Sequence, residues 1–139
     1  YLDDAMGVSR GLINKGIILA QMNDFEGSGS AYEKALDICE REGFSQTLSI
    51  VHDNLGEIRR ELGDLEASRK HFEKSLSLAA DLGFRWQVAE ATRNLASLTE
   101  EGPGRIGMFL ESMEIFRSLG DLREVDRTEE MMRESPDKE

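Results

Sequence analysis

A chain of 139 residues with 28 acidic and 17 basic side chains, formal charge −11, has no cationic surplus to replace counterions along a phosphate backbone or to hold an anionic membrane surface. Apolar residues make up 39%, enough for a continuous core in one domain and too many for a disordered chain. The acidic balance serves solubility or favours a basic ligand.

Two prolines, Pro103 and Pro136, leave nearly the whole length free to be helical. A lone cysteine, Cys39, excludes an internal disulfide framework and suits a reducing, cytoplasmic location. No apolar run is long enough for a membrane span or a signal-peptide core. The chain opens at Tyr1 without a methionine and enters a helical pattern at once, so it reads as a fragment of a longer protein.

The expected helices come in pairs. The first pair covers about 3–22 and 25–42, the second about 46–62 and 65–82, and the third about 86–101 and 105–119. A last helix covers about 121–133, and 135–139 reads as a frayed tail. Asp64 is an N-cap candidate after Gly63, Ser45 is another for the helix it precedes, and Gly83 is a left-handed C-terminal stop. Leu65, Phe72, Leu76, Ala79 and Leu82 recur at helical spacing as one apolar stripe. Nothing shows the alternation of a strand.

The pairs are copies of one another. A shift of 40 residues sets Asn14 on Asn54 and Asn94, Gly16 on Gly56, Ser28 on Ser68, and Gly43-Phe44 on Gly83-Phe84. The third copy is three residues shorter, with the deletion placed in the Gly102-Pro103-Gly104 turn, so Phe72 matches Phe109 and Ser75 matches Ser112. Glycines in Gly27-Ser28-Gly29-Ser30 cost a helix roughly 1 kcal/mol each, so that turn should fray or admit a close contact.

Asn54-Leu55-Gly56, Gly63-Asp64 and Ser68-x-x-x-Phe72-x-x-Ser75 resemble the tetratricopeptide repeat, as do Asn14-Lys15-Gly16 with Ser28-x-x-x-Tyr32-x-x-Ala35 and Asn94-Leu95-Ala96 with Phe109-x-x-Ser112. The resemblance spans about 3–133. It implies an all-α fold, a right-handed α-solenoid of antiparallel helix pairs with seven helices in about 3.5 repeats: 3–43, 44–83, 84–120 and a capping helix 121–133, in one domain over 1–139. Small residues at Gly16, Gly56 and Ala96 would let paired helices approach while an aromatic fills the space beside them. The sequence departs from the family at Leu12, His52 and Thr92, where a tryptophan is usual, and at Gly43, Gly83 and Gly120, where a proline is. The period near 40 rather than 34 is similar to that of long-period members.

In such solenoids the first helix of each pair lines the concave side. The resemblance then implies a face with Arg10, Asn14 and Ile17 from the first pair, Asp53, Asn54 and Glu57 from the second, and Glu90, Arg93 and Asn94 from the third. The asparagine ladder implies capture of an extended peptide, because each amide offers a donor and an acceptor to a main chain; alternatively each asparagine bonds a neighbouring helix. Excess carboxylate on this face points to a basic or mixed-charge protein or peptide rather than an acidic one. Arg10 and Arg93 either grip a carboxylate or pair locally.

Other candidates carry less. His52 and His71 lack metal-ligand spacing with Cys39 and read as packing or surface residues, and Cys39 reads as a small buried hydrophobe. Gly102-Pro103-Gly104 lacks the Lys-Ser/Thr of a phosphate loop. Phe84 and Trp86 read as a staple between repeats. No catalytic residue, cofactor or metal site is expected, and no nucleic-acid or membrane partner. A protein-interaction scaffold is the leading function. The alternatives are self-association as a homodimer through the solenoid ends, where Val125, Met131 and Met132 form an apolar strip, or a sensor domain of a larger regulatory protein.

Overall fold

The computed structural model describes residues 2–134. Seven helices follow one another: α1 Leu2–Gln21, α2 Phe25–Glu42, α3 Ser45–Glu61, α4 Leu65–Leu82, α5 Arg85–Ser97, α6 Pro103–Ser118 and α7 Leu122–Arg133. The described residues contain no strand. Each helix packs on the next, and α3 also touches α5 as α5 touches α7. The result is an all-α stack of helix pairs, as the repeat pattern requires.

Local chemistry sets the boundaries. Asp24, Asp64 and Asp121 cap α2, α4 and α7, each accepting a backbone N–H from three residues on, at Gly27, Ala67 and Glu124. Gly43 and Gly83 close α2 and α4 with φ of 74° and 68°, and the N–H of the following phenylalanine reaches back to the carbonyl of Cys39 or Ala79. Ser45 does not cap α3. It lies inside the helix, and the cap residue is Phe44, which supplies no side-chain bond, because the glycine-closed turn already directs the chain. The third pair is shortened at the end of α5, which stops at Ser97, and Pro103 opens α6 at its first position, where a missing N–H costs nothing.

Close approach inside the first two pairs depends on glycine. A β-carbon on Gly16 would stand 2.5 Å from the Tyr32 ring, and one on Gly56 would stand 2.4 Å from the Phe72 ring. The glycine carbonyls are also used: Ser28 Oγ donates to Gly16 O and Ser68 Oγ to Gly56 O, each at 2.6 Å. The Gly27-Ser28-Gly29-Ser30 turn is therefore intact helix serving a close contact, with Gly29 facing Ile58 of α3. Tyr32 and Ala35 of α2 share a core with Val51, Leu55 and Ile58 of α3, which joins one pair to the next.

The last pair is tied differently. Arg105 stands where Ser68 stands one copy earlier. Its guanidinium lies 4.8 Å over the Phe109 ring and donates to the carbonyls of Met131, Met132 and Glu134, closing the C-terminus of α7. Trp86 donates from Nε1 to Asp121 at 3.0 Å and meets Phe116 edge-on, so the staple expected of it joins the starts of α5 and α7. Val125 is buried with Ala89, Met113 and Phe116, and Met131 and Met132 are half-buried, so the strip assigned to self-association is largely covered by the protein itself. The frayed tail assigned to 135–139 falls outside the described residues.

Candidate functional site

Helices α1, α3 and α5 carry the asparagine ladder, and the three asparagines stand in different surroundings. Asn14 is exposed, Asn54 is half-buried and Asn94 is buried. Asn94 donates from Nδ2 to Asp53 Oδ1 at 3.0 Å, a bond from α5 to the residue just before the ladder in α3. The same reach from Asn54 toward α1 meets Ile13, which cannot accept. No hydrogen bond engages the side chains of Asn14 or Asn54 among the described residues.

Around Asn94 the face that bears the asparagines closes into a polar chain. Asp53 is 1% exposed, and burial, with Glu90 and Glu57 nearby, holds its carboxyl well above the usual range. Glu90, beside it, has its own pKa raised by burial and by Glu57. Arg93, also 1% exposed, pairs with Glu90 and with Glu124 of α7, donates to Thr128, and lies 5.1 Å over the Phe116 ring. Of the two alternatives for Arg93, local pairing is the one observed. Carboxylate oxygens of Asp53, Glu57 and Glu90 approach one another within 4.8 Å. Burial disfavours the charged forms of Asp53 and Glu90, the forms a hard cation needs.

The other end of the face is open. Arg10, Asn14, Ile17 and Gln21 are all exposed along α1, and Arg10 has no ion pair among the described residues. Arg10 lines a cleft of about 390 Å³ with Met6, Phe44, Gln46, Thr47 and Ile50, where α1 meets the start of α3. In α3, Asn54 and Glu57 are half-buried and Glu61 is exposed. The nine residues expected on this face thus divide. Asp53, Glu90, Arg93 and Asn94 bond to one another, while Arg10, Asn14, Ile17, Asn54 and Glu57 border the open part.

Two features escaped the sequence reading. His52 and His71, expected as packing or surface residues, meet across α3 and α4 with their Nδ1 atoms 3.0 Å apart. Burial pushes the His52 pKa down to about 4, with His71 adding to the effect, and burial also lowers His71. The second is Arg105 as the cap of α7. Both stand at positions that vary between copies (Leu12 with Ala31, Thr92 with Met108; Ser28, Ser68), so departure from the repeat was the available signal. Cys39 is buried, as expected of a small hydrophobe.

No helix among the described residues is long and apolar enough to cross a membrane. No curated protein has a matching sequence. A family profile described as tetratricopeptide repeat matches residues 7–81, across the first two helix pairs, and the third pair and α7 continue the same plan. The chain belongs to the tetratricopeptide repeat family.

Proposed function

We propose that the chain is a non-catalytic adaptor that captures a peptide segment of a partner along α1 and α3. Repeats of this family are in general protein–protein interaction modules. The observation that carries the finer reading is the division of the ladder: Asn94 is used internally by Asp53, whereas the amides of Asn14 and Asn54 are left to bond something else. Two amides one repeat apart suit an extended main chain, which offers donors and acceptors at regular intervals. Ile17 supplies an apolar contact beside them and Arg10 a cation in the adjoining cleft. Asn94, Asp53, Glu90 and Arg93 act behind them, fixing α3 against α5 and α7.

The ligand is basic or mixed in charge. Glu57 is half-buried and Glu61 exposed, and Arg93 is already engaged by Glu90 and Glu124. The whole stack serves as one domain in this reading. A pull-down from lysate of the source cells, with mass spectrometry, compares wild type with Asn14→Ala/Asn54→Ala. A partner recovered by wild type and lost from the double variant is the expected result. Equal recovery by both would move binding off this face.

A further inference from the structure

The second helix pair carries two imidazoles where its copies carry none. His52 of α3 and His71 of α4 occupy the place of Leu12 and Ala31 in the first pair and of Thr92 and Met108 in the third. The architecture therefore requires histidine at neither position, and keeping it has a cost. His52 is 7% exposed and its Nε2 has no hydrogen-bond partner, so in either tautomer a buried polar atom goes unsatisfied. Burial lowers the pKa of both rings and keeps them neutral at neutral pH, the form in which imidazole binds a metal.

What the second pair gains is two ring nitrogens aimed at one point. The Nδ1 atoms stand 3.0 Å apart, with the ring planes tilted by 35°. Two nitrogens bound tetrahedrally to one ion, each at about 2.0–2.1 Å, stand about 3.3 Å apart, so the rings need part by only a few tenths of an ångström. His71 is half-buried, which leaves its side of the pair open to water. The charges around the pair balance: Glu33 and Asp64 act on His71 against Arg59, and Lys74 acts on His52. No excess of positive charge repels a cation there.

We propose that His52 and His71 bind a divalent transition-metal ion, of the zinc and copper type, between their Nδ1 atoms, with water completing its coordination. Both rings then hold their single proton on Nε2, so binding releases no proton at neutral pH. The ion ties α3 to α4 inside one helix pair, and the proposal does not rest on the peptide reading. The residues lie 19 apart on different helices, a separation that no local metal motif uses.

The probe is Zn²⁺ alone, added at neutral pH to wild type and to His52→Leu/His71→Ala, which carries the first pair's own residues. Side-chain ¹⁵N NMR of wild type follows each ring nitrogen and needs no variant. The Nδ1 signals of both rings should move together and saturate, with Nε2 remaining protonated, and Mg²⁺ should leave them in place. Zinc should raise the melting temperature of wild type and not of the double variant, and calorimetry should show at least tenfold weaker zinc binding by the variant. Ring signals unmoved at millimolar zinc, or movement of one ring alone, would overturn the proposal, whether or not the variant folds. Equal zinc affinity in the two proteins would do the same and place the ion on carboxylates elsewhere.

Discussion

Gly56 stands where the Phe72 ring leaves no room for a β-carbon, and the ring is flexible only at the expense of a buried core. Alanine there gains roughly 1 kcal/mol of helix propensity but forces an overpacking that costs about 1–3 kcal/mol. Gly56→Ala should therefore lower the melting temperature, and adding Phe72→Leu, which shortens the clashing ring, should recover part of the loss. A higher melting temperature for Gly56→Ala alone would mean the pair has room to part. Asp53 gives a second prediction. Its protonated form is favoured by the fold, so its contribution to stability is present at low pH and is lost as pH rises through the elevated pKa values of Asp53 and Glu90. Asp53→Asn keeps an acceptor for Asn94 without an ionisable group. The variant should lose less stability than wild type as pH rises above the ordinary carboxylate range, by calorimetry. The histidine pair acts oppositely: with His52 held down to about 4, stability is full above the ordinary histidine range and falls as pH drops from about 6.5 toward 4. His52→Leu/His71→Ala restores the residues of the first copy and should remove that acid-side loss.

Helix α7 is the smallest unit with its own fate. Its C-terminal carbonyls depend on one guanidinium, and its packing on Val125 and Thr128. Replacing Arg105 with alanine leaves those carbonyls without donors and should cost about 1–3 kcal/mol. Amide exchange should speed up throughout α7 while α1 to α4 keep their protection, because a repeat array opens from one end without disturbing distant pairs. Uniform acceleration would mean the stack melts as one unit. The paired helices and their caps were legible in the sequence, because aspartate caps, left-handed glycines and a fixed period are local signals. The end of α5, the cap residue of α3 and the closing of α7 were not. They depend on which side chain reaches across a pair, and Arg105 or His71 reveal that only by departing from the repeat.

Across the whole molecule the face that bears the asparagines is graded, exposed at Asn14 on α1 and buried at Asn94 on α5. The period placed the nine candidate residues on the same helices but could not show which would bond among themselves. That depended on the residue before each asparagine: Asp53 accepts from the next copy, and Ile13 cannot. On the proposed function, ligand capture falls to Asn14 and Asn54 and architecture to Asn94. Asn94→Ala should lower stability by about 1–3 kcal/mol, since it strips the partner from a buried carboxyl. The most direct test of the central claim is calorimetric titration of the recovered partner peptide into wild type and Asn14→Ala/Asn54→Ala, with thermal melting of both. The account predicts affinity reduced at least tenfold with the melting temperature unchanged. Unaltered affinity, or a loss of binding that follows a loss of stability, would contradict it.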